Sequence, residues 1–278
     1  MKNMTQDGKA KIFYDLHKKS KILVLPNAWD AASARVFEQA GFSAIGTTSA
    51  GIAISLGYAE PERISREEML EAIGRIVRAV SVPVSADIEA GYSLTAEGVT
   101  ETVKKVIAAG VVGINLEDTP GTNGAAIQEV EIQVERIAAA REAAQSVHFP
   151  VVINARTDLY LFNIGDPDTR FDQVVRRANA YLEAGADCVF IAGIGDPVVI
   201  AALVREIQGP INILANAGVP TIAELKKLGV VRVSVGSGPM RATMALVQQI
   251  ALELLEKGTY TAFTTNTIPY SEANQLFK

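Results

Sequence analysis

The chain has 278 residues, 49% hydrophobic and 21% charged, and its 26 basic and 31 acidic residues give a formal net charge of −5. The two signs are intermixed and no basic block occurs, so neither nucleic acid nor a membrane surface is an expected partner. No run of about 18 apolar residues indicates a membrane span. The polar start and the single cysteine, Cys188, are typical of a cytoplasmic protein without disulfides. With only His17 and His148 available, a histidine-rich metal site is excluded.

Short apolar segments alternate with longer amphipathic segments, which is the pattern of repeated strand–helix units. The predicted strands are residues 21–28, 43–51, 82–90, 111–119, 150–158, 187–194, 211–218 and 231–238. The helix predicted over residues 65–80 opens with a capping box, Ser65 and Glu68. Gly110 and Gly185 each end a predicted helix shortly before the next strand.

Eight such units, with strands apolar on both faces, predict an α/β protein with a (β/α)8 TIM-type barrel. A doubly wound open sheet is the alternative, but no G-x-G-x-x-G pattern follows the first strand. Residues 1–20 are predicted to form an extra N-terminal helix, and residues 258–278 a C-terminal extension. No linker or change of composition divides the chain, so a single domain over 1–278 is expected.

The segment VPVSADIEAGYS, residues 82–93, carries two acidic residues at the end of an otherwise apolar strand. Asp87 and Glu89 are two positions apart, which puts both side chains on one face of a strand. In a barrel the active site forms at the carboxyl ends of the strands, where Glu117 follows on the next strand. Three converging carboxylates without His or Cys suit a hard cation, Mg²⁺ or Mn²⁺.

Polar residues at the ends of other strands complete the candidate site. Arg156 could bind a substrate carboxylate in bidentate fashion, although it could also simply pair with Asp158. The hydroxyl cluster Thr47, Thr48 and Ser49 could support the oxygen of a developing enolate. On the seventh strand, Asn216 is a further candidate for substrate binding. Cys188, at the start of its strand, is expected in the core, and both histidines are expected to have surface or packing roles.

In these motifs the chain resembles the isocitrate lyase and phosphoenolpyruvate mutase superfamily, over roughly residues 20–255. The resemblance rests on LPNAWDAASARVFEQAGFSAIGTTSAGIAISLGY, VPVSADIEAGY, GINLEDT and INARTD, in the family's order. It implies a barrel whose eighth helix is swapped between subunits of a dimer or tetramer, and chemistry through the enolate of a 2-oxo acid on Mg²⁺. By position, Asp87 resembles the direct metal ligand, Glu89 and Glu117 resemble residues that hold the metal's waters, and Glu60 resembles an outer-shell acid. Arg156 resembles the carboxylate-binding arginine.

Other positions either match the resemblance or depart from it. Thr48, Ser49 and Ala50 match the family's oxyanion-side segment after the second strand. The loop after the fourth strand lacks the lyases' cysteine and the mutases' lysine, and only Asn123 corresponds to a mutase asparagine. Ala192 stands where relatives place Glu or His. The half of the site that stabilises an enolate is therefore kept, while the acid–base half is missing or moved.

Three hypotheses follow. The first is a Mg²⁺-dependent carbon–carbon lyase or decarboxylase that acts on a small 2-oxo or hydroxy diacid, such as oxaloacetate or a methylisocitrate- or malate-like substrate. The second is phosphonomutase or phosphonopyruvate hydrolase chemistry at a P–C bond, and the third is a non-catalytic binder of small carboxylates. The expected partners are a small carboxylate and further copies of the chain in a homo-oligomer, a dimer or tetramer.

Overall fold

The computed structural model describes residues 4–18, 21–59, 63–120 and 127–278. Its strands are β1 (Leu23–Leu25), β2 (Asn27–Ala28), β3 (Ile45–Thr47), β4 (Val84–Asp87), β5 (Gly113–Glu117), β6 (Val152–Thr157), β7 (Cys188–Ile191), β8 (Ile211–Leu214) and β9 (Arg232–Ser234). They form one parallel sheet in the order β1-β9-β8-β7-β6-β5-β4-β3-β2. Because β1 and β2 are consecutive in the chain, this order describes a nearly closed barrel, which confirms the predicted TIM-type fold and excludes the open-sheet alternative.

The first predicted barrel strand is divided at Pro26 into β1 and β2, because proline has no backbone N–H to donate to a neighbouring strand. Its first half, β1, pairs with β9, and its second half, β2, pairs with β3. The Asn27 side chain joins the two sides of this seam. Its Nδ2 donates to the Thr47 carbonyl at 2.8 Å, and its Oδ1 accepts from the backbone N–H groups of Val235 and Gly236 at 2.9 Å.

Helices connect and surround the strands. They are α1 (Gln6–Leu16), α2 (Ala31–Gln39), α3 (Ser49–Ser55), α4 (Arg66–Ala79), α5 (Ala96–Ala108), α6 (Val130–Ser146), α7 (Pro167–Glu183), α8 (Pro197–Glu206), α9 (Ile222–Lys227), α10 (Gly238–Leu252), α11 (Thr261–Thr264) and α12 (Tyr270–Gln275), with a π-helical turn Glu253–Lys257 after α10. The predicted capping box of α4 is confirmed, with both Ser65 and Glu68 in place. The predicted helix-ending glycines have left-handed φ angles, +94° at Gly110 and +110° at Gly185.

The short helix α3 was not predicted, since residues 49–51 are assigned to the second predicted strand and residues 52–55 to the loop after it. It begins directly after β3, where the Thr48 side chain accepts from the N–H of Gly51 at 3.3 Å. A threonine N-cap satisfies one of the unpaired donors of the first turn, which allows a helix to start with no intervening loop. Of the candidate hydroxyl residues, Thr48 and Ser49 therefore lie at the start of a helix, whereas Thr47 is the last residue of β3.

Apolar side chains fill the layer between the barrel and its helices, whereas the barrel interior is polar. The interior side chains Ser85, Asn115, Asn154, Asn212 and Arg232 are all at most 5% exposed. The N-terminal end of the barrel is closed by α1, which inserts Phe13. A Cβ placed on Gly113 would lie 2.5 Å from the Phe13 ring, so this close approach requires glycine.

The eighth barrel helix, α10, makes little contact with its own barrel, and its only buried residue is Met240. Large apolar side chains on it and on the turn that follows are exposed, among them Met244 at 49%, Val247 at 64% and Leu255 at 84%. The swapped eighth helix and the single domain over 1–278 remain predictions. Among the described residues, no helix is long and apolar enough to span a bilayer.

Candidate active site

The Asp87 side chain, at the end of β4, lies at the centre of the candidate site. Its Oδ2 accepts from the backbone N–H of Ser49 at 3.1 Å and from the Ser49 hydroxyl at 2.9 Å. Its backbone N–H donates to the Thr47 hydroxyl at 2.9 Å. The other carboxylate oxygen, Oδ1, is buried and has no hydrogen-bond partner in the described part of the chain. The start of α3 therefore holds one oxygen of Asp87 and leaves the other available to a ligand.

Glu89 reaches the site by a turn and not by strand alternation. Strand β4 ends at Asp87, and Glu89 has a left-handed φ of +50°, as does Tyr92 at +55°. The Tyr92 hydroxyl donates to the Glu89 carboxylate at 3.4 Å, and the fully buried Arg136 of α6 donates to the Ala90 carbonyl inside the same turn. The expectation that Asp87 and Glu89 share a strand face is therefore wrong, because the extended backbone stops between them.

Glu117, at the end of β5, forms an ion pair with Arg156 of β6, with Nη1 and Oε2 2.6 Å apart. The Arg156 Nε also donates to Asp158 at 2.6 Å. Burial raises the pKa of Glu117 well above its ordinary value; Arg156 opposes the shift, while Asp158, Asp87 and Glu89 add to it. Although burial lowers the pKa of Arg156, the neighbouring acids raise it overall, so the guanidinium stays charged. The site is thus an acid cluster balanced in part by one partly exposed cation, Arg156.

Asp118 follows Glu117 but binds protein groups. Its Oδ2 accepts from the Tyr181 hydroxyl at 2.8 Å and from Arg177 at 3.4 Å, and its Oδ1 accepts from the Asp158 N–H at 3.1 Å. Burial raises its pKa to about 6. The Asp118 carbonyl also accepts from the Gln128 N–H at 2.8 Å. This residue therefore anchors the chain beyond the β5 loop.

Asp87 and Arg156 border a cavity of 220 Å³ at the carboxyl ends of the strands, here called the mouth cavity, whereas Glu89, Glu117 and Asp118 are not among its lining residues. Its lining consists of polar, small and apolar residues: Asn27, Thr48, Ser49, Ala50, Asp87, Asn115, Arg156, Leu161, Phe190, Ala192, Leu214, Asn216, Ser234, Gly236, Ser237 and Arg241. None of these lining residues is Lys, His, Cys or Tyr. The cavity can therefore bind and orient an anion, but its described walls contain few groups that exchange protons near neutral pH.

Most of the predicted site residues meet at the mouth cavity. Those that line it are Thr48, Ser49, Ala50, Asp87, Arg156 and Asn216. Thr47, predicted to bind substrate, is fully buried and lies behind the lining, because its hydroxyl is used by the Asp87 N–H. Two further predicted residues, the metal-site candidate Glu60 and the catalytic candidate Asn123, lie outside the described residues.

Several lining residues were missed in the sequence. Asn115 precedes Glu117 by two positions, so strand alternation could have placed both in the barrel interior. Arg241 follows the GSG segment by three residues and forms no ion pair within the described chain. The ring of Phe190 lies against Arg156, with its centroid 5.7 Å from the guanidinium carbon. An aromatic residue inside an apolar strand carries no sequence signal that separates a cavity wall from the core.

The oxygen donors of the site suit a hard divalent cation. Within the described residues, no three His, Cys, Asp or Glu side chains are arranged as a set of direct metal ligands. The unpartnered Oδ1 of Asp87 lies buried beside two further carboxylates, and leaving such an oxygen unpaired is costly. Oxygen donors of this kind suit Mg²⁺, which commonly keeps several waters and binds through one or two carboxylates. The residues therefore fit a cation that Asp87 contacts directly.

A parallel barrel with acidic side chains at the carboxyl ends of adjacent strands is typical of enzymes that act on small anions. Residues 13–255 match the family model described as phosphoenolpyruvate phosphomutase. The chain belongs to this family, within the isocitrate lyase and phosphoenolpyruvate mutase superfamily, as its motifs indicated.

Individual relatives support the same assignment. A crystal structure of a lyase/mutase-class protein from Burkholderia cenocepacia J2315 is similar at a TM-score of 0.91 and 38% identity, covering 98% of this chain and 96% of that one. The 2-methylisocitrate lyase of Escherichia coli is 29% identical over 267 residues, 92% of this chain and 88% of its own. A phosphonopyruvate hydrolase solved with oxalate and Mg²⁺ has a TM-score of 0.85 and 26% identity, covering 98% of this chain and 95% of that one. Lyases and P–C bond enzymes are thus both among the relatives, which supports an enzyme.

Proposed function

We propose that this protein is a Mg²⁺-dependent carbon–carbon lyase or decarboxylase that acts on a small 2-oxo or hydroxy diacid. The observation that carries the proposal is the unpartnered oxygen of Asp87, which borders the mouth cavity beside the Glu117–Arg156 ion pair. Asp87 would hold Mg²⁺ (or Mn²⁺) directly, and Glu89 and Glu117 would hold its waters. When bound, the cation would accept the charge that develops on the 2-oxo oxygen.

Two arginine side chains, Arg156 and Arg241, would orient a diacid substrate. Arg156 uses one N–H for Glu117 and another for Asp158, and a guanidinium has five N–H donors, so donors remain for a substrate carboxylate. Arg241 lines the same cavity and has no acidic partner in the described chain. Asn216 and Ser49 add polar contacts on the cavity wall. A ligand with two anionic groups would use both guanidinium groups, whereas a monoacid would use one.

The cavity wall favours a reaction that needs little protein-supplied acid or base. Decarboxylation of oxaloacetate is such a reaction: the bond between C3 and the distal carboxylate breaks, CO₂ leaves, and the electron pair passes to the enolate of pyruvate, which takes a proton from solvent. Ala192, which lines the cavity, has no proton to exchange. Cleavage of a malate-type substrate remains within the proposal if a water acts as the base.

A second candidate, P–C bond chemistry on phosphonopyruvate, is favoured by the family model and by the phosphonopyruvate hydrolase relative. Arg241 would then hold the phosphonate group in place of a second carboxylate. Within the sequence, Asn123 is the residue on which this chemistry would depend.

The test is a substrate panel with purified protein and Mg²⁺, assayed for pyruvate from oxaloacetate, for cleavage of substituted malates, and for turnover of phosphonopyruvate. Because Mg²⁺ alone decarboxylates oxaloacetate slowly, a blank with metal but no protein is subtracted, and Asp87→Ala serves as the protein control. Turnover of a diacid that is lost in Asp87→Ala supports the proposal. Turnover of phosphonopyruvate alone supports the second candidate. Tight oxalate binding with no turnover of any compound supports the non-catalytic binder.

A further inference from the structure

Asn115 occupies the floor of the mouth cavity, inside the barrel. On β5 it is the Cα partner of Asp87 on one side and of Asn154 on the other, two residues before Glu117. It lines the cavity although only 5% of its surface is exposed. A ligand held by Asp87 in this cavity would therefore contact the Asn115 side chain.

The orientation of the Asn115 amide is decided by its neighbours. Arg232 Nη2 donates to Asn115 Oδ1 at 3.2 Å, and Asn154 Nδ2 donates to the same oxygen at 2.8 Å. A guanidinium has donors and no acceptor, so only the oxygen of the amide can face Arg232. The amide nitrogen must then face the other way, and it donates no hydrogen bond within the described residues.

Arg232 is itself held in place inside the barrel. It is 1% exposed, its guanidinium carbon lies 5.9 Å from the centroid of the Phe13 ring, and no acidic residue of the described chain forms an ion pair with it. Its Nε and Nη1 have no partners in the described residues, nor does the Asn154 Oδ1. Groups of this kind inside a protein are commonly bridged by buried water. Beneath Asn115, the buried side chains of Arg232 and Asn154 thus form a polar layer inside the barrel.

We propose that Asn115 is a substrate-positioning residue whose amide N–H donates to a carboxylate oxygen of the ligand bound beside Asp87. Arg232 and Asn154 are positioning residues that act through Asn115 by holding its oxygen away from the cavity. The inference rests on the proposed function, because it assigns a role within the same site. It makes the ligand a planar carboxylate with one oxygen directed at the barrel floor.

The test is calorimetric titration of oxalate into the protein with saturating Mg²⁺, and of Mg²⁺ alone. A hydrogen bond to a charged group contributes enough that Asn115→Ala is expected to weaken oxalate binding by about 10- to 100-fold. Affinity for Mg²⁺ alone is expected to stay within about 3-fold, because the amide nitrogen is not a metal donor. Asn115→Asp should bind oxalate more weakly still, since an ionised carboxylate cannot donate and repels the anion. Ser85→Ala, a buried interior change outside the cavity lining, is the matched control.

The positioning role is tested with Asn154→Ala and the double variant Asn115→Ala/Asn154→Ala. If Asn154 acts through Asn115, the substitution Asn154→Ala weakens oxalate binding in the wild type. The same substitution causes no further loss in the Asn115→Ala background. Equal losses in both backgrounds would overturn the positioning role. Oxalate affinity unchanged in Asn115→Ala would overturn the inference while the proposed function stands. A wild type that binds Mg²⁺ but no oxalate would overturn the proposed function itself.

Discussion

The charged residues inside this barrel lie in two groups, one at the mouth and one at the closed N-terminal end. At the mouth, Asp87 and Arg156 line the cavity, and Glu117 is paired with Arg156 behind that lining. At the closed end, His17 and Arg232 are buried near Phe13, with no acid in an ion pair with either among the described residues. The two ends therefore have different expected roles: the mouth binds anions and metal, and His17 at the closed end makes stability depend on pH.

Arg241 is the residue whose removal separates binding from chemistry. In Arg241→Ala we expect the KM for oxaloacetate to rise by about 10- to 100-fold, because one charged hydrogen bond to the distal carboxylate is lost. Turnover at saturation is expected to change little. Arg241→Lys should recover only part of the affinity, since an ammonium lacks the bidentate geometry. Steady-state kinetics on the three proteins provide the measurement, and an unchanged KM in Arg241→Ala would contradict the role.

His17 gives the fold a defined acid sensitivity. Its ring Nδ1 donates to the Phe13 carbonyl at 2.8 Å, and burial, with Arg232 adding, lowers its pKa from 6.5 to about 4. The unfolded chain therefore binds this proton more readily, so stability is lost as the pH falls from about 6.5 towards 4. The loss due to His17 amounts to roughly 2 to 3 kcal/mol.

Urea unfolding at several pH values measures this loss. His17→Gln should flatten the decline of unfolding free energy between pH 6.5 and pH 4 relative to the wild type. The control is His148→Asn, because His148 is exposed and has a left-handed φ of +53° that asparagine tolerates. A decline that is the same in all three proteins would contradict the assignment to His17.

Among the elements, α1 has the clearest structural task, which is to close the N-terminal end of the barrel. Phe13 is fully buried against Gly113, while Tyr14, the next residue on α1, is 38% exposed. We expect Phe13→Ala to lower the free energy of unfolding by about 3 to 5 kcal/mol, through lost burial and the cavity left behind. Tyr14→Ala should cost under about 1 kcal/mol. Denaturant unfolding compares them, and similar costs would mean that α1 is not a required part of the core.

The elements also differ in how far the sequence could predict them. Parallel strands and their acidic ends were accessible because apolar runs, helix-ending glycines and a carboxylate at Asp87 are local signals. The helix α3 was not, because its start depends on a Thr48 cap that only the β3 geometry aligns. The left-handed turn at Glu89 is contacted by Arg136, 47 positions further along the chain, which donates to the Ala90 carbonyl. Asn115 was missed although its spacing of two from Glu117 on β5 was a usable signal, whereas Arg232, two positions before Ser234 on β9, has no acidic residue on its strand to mark the inward face.

At the scale of the whole molecule, α10 and the turn after it expose apolar side chains that a partner chain could bury. Several large apolar side chains exposed on one helix and the turn after it, such as Val247 and Leu255, are typical of a protein–protein contact. A second copy of the chain that exchanges α10 would supply it, in keeping with the predicted swapped helix. We therefore propose a homo-oligomer built on this helix.

Light scattering after gel filtration tests the oligomer. Val247→Glu is expected to shift the protein towards the monomer, because a buried unpaired carboxylate in the interface is costly. Gln248→Glu adds the same charge at an adjacent polar position and should leave the oligomer largely intact. A wild-type protein that elutes as a monomer at all concentrations would contradict the proposal.

The division of the first barrel strand into β1 and β2 also has a consequence for folding during synthesis. Leu23 pairs with Arg232, so the barrel cannot close until the chain has been synthesised beyond Arg232. Until then β1 and the latest strand present open edges, which invite pairing with other nascent chains. Contacts this distant in sequence form slowly, and closure is therefore the late event in folding. Asn27 contacts both sides of the seam, so its full set of hydrogen bonds forms only when the barrel has closed.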